Sequence, residues 1–131
     1  MLNRRDFVRG AAAGDGAMTV MTSEIVQAAP EGTMSLNVVY PNHDGARFDT
    51  TYYRSTHIPL AMKVMKAASV LLIEGVPMGT TAPPFAMIAH FTFASSEALQ
   101  AALANPAMAE VRADVAAFTD IKATVMLGKT V

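Results

Sequence analysis

The chain contains no cysteine, which excludes disulfides, thiolate nucleophiles and cysteine-ligated zinc or iron–sulfur centres. Charge is sparse: 16% of the 131 residues are Asp, Glu, Lys or Arg, and the formal net charge is −1. A nucleic-acid partner normally demands a basic face, so none is expected. No apolar run is long enough to cross a bilayer, so no membrane span is expected. Gly-rich phosphate loops are missing as well. The stretch "GTTAPP" lacks the glycine spacing that cradles a pyrophosphate, and a tightly bound NAD or FAD is not expected. What is abundant is apolar side chain, 52% of the sequence, ample for the core of one domain.

The first residues read as a targeting segment. "NRRDFVRGAAAG" pairs Arg4 with Arg5, follows them with Phe7 and runs into small residues, which resembles a twin-arginine export signal. "VQA" at 26–28 has the small-x-small pattern of a cleavage site. Asp15 and Glu24 place charges where such a signal should be apolar. Residues 1–29 are therefore expected to be an export leader, giving a periplasmic or secreted protein, the alternative being a cytoplasmic leader. Residues 30–131 form the domain.

That domain divides by periodicity. "MSLNVVYP" alternates and closes on Pro41, as a strand does. "NHDGARF" is a turn, and Asp49 suits a helix start. "SVLLIEGVP" and "FAMIAHFTFA" read as strands. Ser95 or Ser96 caps a second helix, which pauses at Pro106 and resumes through Met108, Val111, Val115 and Phe118. "IKATVMLGKTV" is the last strand. The order β-α-β-β-α-β predicts an α+β, ferredoxin-like fold of four antiparallel strands with two helices on one face. Both registers of the third strand are largely apolar, and Leu71 and Ile73 lie opposite Val70 and Leu72 on the second. A sheet apolar on both sides must cover its second face. With no third layer in the sequence, a second copy is the economical cover, which predicts a homodimer with facing sheets, a dimeric α+β barrel.

"VVYPNHDGARFDTTYYRSTHIPL", residues 38–60, resembles the opening of the EthD family, named for ethyl tert-butyl ether degradation. The shared positions are Tyr40, Pro41, Asn42, Gly45, Arg47, Phe48, Asp49, Tyr52, Tyr53, His57 and Pro59. "AHFTF", "SSEALQAAL" and "FTDI" are similar too, whereas "NPAMAEV" lacks the histidine that members often carry in the second helix. The resemblance implies the same fold, a homodimer, and a pocket between sheet and helices. Members are often labelled reductases or oxidoreductases, and related small barrels include cofactor-free lactone isomerases, quinone-forming monooxygenases and polyketide cyclases.

Tyr53 and His57, four residues apart, share a helix face. Pro59 disfavours helix at Ile58, which places His57 at a helix end whose dipole favours the imidazolium. A histidine so placed suits general acid–base catalysis, although a histidine capping nearby carbonyls fits the same position. Tyr40 and Asn42 are positioned to donate hydrogen bonds to an oxyanion or enolate, and Tyr53 is the third catalytic candidate. Tyr52 shares a stripe with Phe48 and reads as core at the pocket wall, while Tyr53 reads as more open. His90 is either a pocket residue or a satisfied buried histidine. His43 reads as solvated, and Asp120 either orients a histidine or caps a turn. Glu110, Arg112 and Asp114 read as the wet face of the second helix. Three histidines without regular spacing or paired carboxylates predict no metal site. No cofactor is expected, haem through His57 or His90 being the lesser alternative. The ten methionines suit a pocket tolerant of bulky apolar ligands as well as ordinary core filling. Two functions fit. One is an enzyme on an apolar or aromatic small molecule (a cofactor-free isomerase, cyclase or oxidoreductase with a His acid–base). The other is a non-catalytic binding or accessory protein.

Overall fold

A computed structural model describes residues 29–131; the export reading rests on residues that, but for Ala29, lie outside the described ones. Strand β1 is Met34–Pro41. One continuous helical run follows: α1 Thr50–Tyr52, a π-helical turn Tyr53–His57, and α2 Ile58–Met65. Strands β2 Ser69–Glu74 and β3 Phe85–Phe93 come next. Helices α3 Ser96–Ala104 and α4 Met108–Asp114 then lead through a 3₁₀ turn, Val115–Ala117, to β4, Thr124–Lys129. The four strands are antiparallel in the order β2-β3-β1-β4. This is the ferredoxin-like α+β arrangement expected from the order of the elements.

Strand register decides what faces the helices. Leu36 of β1 lies between Phe91 of β3 and Leu127 of β4, and Tyr40 lies opposite Met87. Leu36, Tyr40, Met87, Ala89 and Phe91 are all buried beneath the helices. The other register, with Leu71 and Ile73 of β2 and Met126 of β4, leaves these three side chains about half exposed or more on the single chain. Ser95 caps α3, its hydroxyl accepting from the Ala98 amide at 3.0 Å. Asp49 caps α1 by accepting from the Tyr52 amide at 3.0 Å.

The helix does not stop at His57. Ile58 keeps helical backbone angles (φ −65°, ψ −43°), and the run ends only at Lys66, which takes the left-handed conformation (φ 54°). Proline at 59 has no N–H to give and its ring crowds the preceding turn. The chain accommodates it by widening that turn, so that the Ile58 amide reaches back five residues to the Tyr53 carbonyl. Such π turns insert one residue into an α-helix and recur at functional sites. Pro59 then sits in the first turn of α2, where proline is tolerated. The expectation that His57 meets the negative end of a helix dipole is therefore corrected, because His57 lies inside a continuous run.

Gly75, just after β2, is required by close approach. A Cβ there would overlap the Phe85 carbonyl oxygen and lie 2.8 Å from Pro83 Cβ. Gly75→Ala is expected to cost about 1–3 kcal/mol, since overpacked sites force backbone shifts; the urea midpoint checks this.

Candidate functional site

Between sheet and helices lies a cavity of about 350 Å³, within the size range of small-molecule sites. Its lining draws on β1, the Tyr53–Met65 stretch, β3, α3, α4 and β4. Nearly all of that lining is aliphatic or aromatic. The exceptions are Tyr40, Tyr53 and His57 inside, and Arg112, which is exposed.

His57 is 4% exposed. Its Nδ1 lies 2.9 Å from Oδ2 of Asp114. A carboxylate accepts, so Nδ1 carries the proton and donates, leaving Nε2 as the ring's basic nitrogen. The hydroxyl of Tyr52 donates to the other carboxylate oxygen, Oδ1, at 2.7 Å. Burial alone would raise the Asp114 carboxyl, but the hydrogen bonds from Tyr52 and His57, with the imidazolium charge, hold it below its ordinary value. Asp114 is the last residue of α4, where the helix dipole disfavours negative charge; its two donors offset that.

An aromatic cluster fixes the imidazole. Tyr53 stacks on His57 with ring centroids 5.6 Å apart and planes 18° apart, and the Phe118 ring packs against His57 with centroids 4.5 Å apart and planes tilted by 52°. Tyr40 meets Tyr53 edge-on at 5.8 Å. Burial pushes the Tyr40 phenol up to about 12, with the Tyr53 hydroxyl pulling slightly the other way. Burial raises Tyr53 too, reinforced by the neighbouring Tyr40. Both phenols therefore stay protonated at neutral pH and can act as hydrogen-bond donors, not as bases.

His57, Tyr40 and Tyr53 are brought together on one cavity, and the stacking of Tyr53 on His57 follows from their four-residue spacing. The two adjacent tyrosines are the reverse of the expectation. Tyr53 is 1% exposed, whereas Tyr52 is half-buried and reaches Asp114. The stripe drawn from Phe48 to Tyr52 presumed helix at Phe48, but Phe48 is extended and bridges to Thr119; the helix begins only after the Asp49 cap. The wet-face assignment of Asp114 is also corrected. A signal was present, since Asp114 falls three residues after Val111 and four before Phe118, on the apolar stripe itself.

The other candidates lie elsewhere. Asn42 donates from Nδ2 to the Pro83 carbonyl at 3.0 Å, and its amide donates to that of Pro84, so it pins the loop before β3. Asp120 accepts from the Arg47 amide at 2.9 Å and approaches His43, not His57. That backbone hydrogen bond holds its carboxyl below the usual range. His90 points from the outer register, its Nδ1 donating to Asn37 Oδ1 at 2.6 Å. None of the three lines the cavity. Among the described residues no three His, Asp or Glu side chains gather as a metal site, and no helix is long and apolar enough to cross a membrane.

A four-stranded antiparallel sheet with helices on one face, and an apolar cavity walled by both, defines a ferredoxin-like α+β protein. The chain belongs to the EthD family: the EthD domain profile matches residues 45–122. Among solved structures, an EthD-like protein from Ralstonia eutropha is 29% identical, with 75% of this chain and 91% of that one covered at a TM-score of 0.68. An ethyl tert-butyl ether degradation (EthD) family protein from Bacillus halodurans shares the fold at 19% identity, with 76% and 99% covered and a TM-score of 0.60. A protein from Arabidopsis thaliana does so at 19% identity, with 75% and 95% covered and a TM-score of 0.55. No functionally curated protein matches the chain.

Proposed function

We propose that the cavity is the active site of a cofactor-independent acid–base enzyme acting on an apolar or aromatic carbonyl compound, with His57 as the base. The observation that carries this reading is the His57–Asp114 pair: a carboxylate takes up Nδ1 of an imidazole whose ring lines an apolar cavity. That arrangement fixes the tautomer with a basic Nε2 and stabilises the imidazolium once Nε2 has taken a proton. A C–H bond next to the carbonyl breaks, its proton passes to Nε2, and its electron pair becomes an enolate. The enolate oxygen accepts a hydrogen bond from the phenol of Tyr40 or Tyr53. Where a C=C bond adjoins that carbon the enolate is a dienolate, and return of the proton from Nε2 to the far end of the conjugated system shifts the double bond and isomerises the compound with no net oxidation.

The outer sheet register, with Leu71, Ile73 and Met126 exposed, supports the homodimer as part of the same reading, each sheet covering the other. Export through residues 1–29 belongs to it as well, supported by Arg4-Arg5 and "VQA".

The test is solvent exchange. Wild-type protein in D₂O is incubated with a panel of enolisable apolar ketones and unsaturated lactones, and loss of the α-proton signal is followed by NMR. His57→Asn serves as the control, because it keeps a donor near the Nδ1 position while removing the base; His57→Ala would instead orphan the buried Asp114 whatever its role. Exchange that depends on wild-type protein and disappears in His57→Asn is expected. Saturable binding without exchange of any compound would replace the enzyme with the carrier reading. A Soret band in the purified protein would replace it with haem binding.

A further inference from the structure

The lining of the cavity is graded in exposure. Tyr40, Tyr53, His57 and Phe91 are buried, whereas Leu103 and Val125 are 40% and 57% exposed, and Arg112 is exposed with them. The exposed set therefore forms the mouth, contributed by α3, α4 and β4, and the histidine lies on the inner wall. Arg112 is the only lining side chain with a permanent charge. Among the described residues it makes no ion pair or side-chain hydrogen bond. The carboxylate two positions on is committed to His57 and Tyr52, and the ion pairs among the described residues are those of His43 and His57.

A guanidinium beside an apolar opening is chemically specific. It offers a planar fork of donors that matches a carboxylate in two parallel hydrogen bonds, while an apolar lining has nothing else to recognise but hydrocarbon. We infer that Arg112 is a specificity residue, holding at the mouth the carboxylate of an amphipathic acid whose apolar body fills the cavity. This rests on the small-molecule reading of the cavity above and adds to it the ligand class and its orientation. The anionic end stays at the mouth, so the part of the molecule presented to His57 is the buried hydrocarbon or carbonyl end.

The test is a matched series: hexanoate, octanoate and decanoate against the corresponding alcohols, titrated into the full chain and read by calorimetry and by His57 ring shifts in NMR. A charge-assisted hydrogen bond at a partly exposed position is expected to favour each acid over its alcohol by about tenfold, with the preference falling as salt rises. Arg112→Gln should remove the preference with the alcohols' affinity and the thermal midpoint unchanged, and Arg112→Lys should restore part of it. Equal binding of acids and alcohols, or an acid preference that survives Arg112→Gln, overturns the assignment and leaves the cavity reading intact. Binding of neither class, with no shift at His57, overturns both. A merely structural Arg112 near the end of α4 would lower the midpoint without touching the acid-to-alcohol ratio.

Discussion

Asp114→Asn slows deuterium uptake into an enolisable ligand by about 10²- to 10⁴-fold, the range that a positioned acid–base group contributes. Asparagine occupies the same volume and offers Tyr52 an acceptor. What it removes is the negative charge that fixes the proton on Nδ1 and stabilises the imidazolium. The amide can instead donate to Nδ1, which places the ring proton on Nε2 and leaves no base facing the ligand. NMR exchange rates for the two proteins measure the ratio; equal rates would separate Asp114 from the chemistry and leave it a purely structural partner of His57.

The same substitution has a signature in stability against pH. The Asp114 carboxyl is held below its ordinary value of 3.8 in the fold. A depressed carboxylate contributes stability that is present above the unfolded value and is lost as pH falls through the folded one. The Tyr52 phenol is raised above 10.0, first by its hydrogen bond to Asp114. A raised phenol contributes stability present below the unfolded value and lost as pH rises through the folded one. The joint contribution therefore spans the interval between those two ordinary values. In a series of urea midpoints, the gap between wild type and Asp114→Asn should be widest near neutrality and should close on acidification below pH 3.8 and again in strong alkali.

Phe118→Ala is the largest expected loss of stability, about 3–5 kcal/mol. Phe118 is fully buried, and its ring contacts Tyr40, Phe48, Tyr53 and His57 at centroid distances of 5.9, 5.2, 4.9 and 4.5 Å. Truncation empties the middle of this cluster, which links β1, the helical run and the segment after α4, so little of the space can close by collapse. Set against the roughly 5–15 kcal/mol that holds a typical domain together, the loss is a large fraction of the whole. Phe118→Leu, which keeps most of the volume, should lose much less. Similar midpoints for the two variants would mean that the cluster is not the keystone its contacts make it.

Which parts of this were legible in the sequence follows from the range over which each was determined. Strand alternation, a serine cap at 95 or 96 and the break at Pro106 are local signals, and the structure has all three, with Ser95 as the cap. The pairing of Tyr53 with His57 was legible because four residues apart means adjacent even in a widened turn. Asp114 was not, because its partners lie 57 and 62 residues earlier in the chain and a carboxylate among Glu110 and Arg112 looks like any solvated helix face. The order of Tyr52 and Tyr53 failed for a different reason: it depended on where helical geometry begins, and the helix starts at Thr50, after the Asp49 cap and two residues past Phe48. His90 had two readings open to it, pocket residue or satisfied histidine; its register faces away from the cavity, and Asn37 across the strand satisfies its ring.

The π turn at Tyr53–His57 acts as a rotational offset. An α-helix advances about 100° per residue, so the one added residue turns everything before Tyr53 by that angle relative to Ile58, Ala61 and Met65, the side chains by which α2 is anchored to the core. Shortening this turn by one residue would restore a regular helix and set those two demands against each other. If α2 kept its anchors, Tyr52 would swing away from Asp114 and the Asp49 amide from the Phe118 carbonyl; if those contacts held, Pro59, Met62 and Lys66 would take the places of Ile58, Ala61 and Met65 at the core. The bulge is thus a phase adjuster between the site and its scaffold, and the aim of the Tyr52 hydroxyl is set by the chain's arithmetic as much as by its partner.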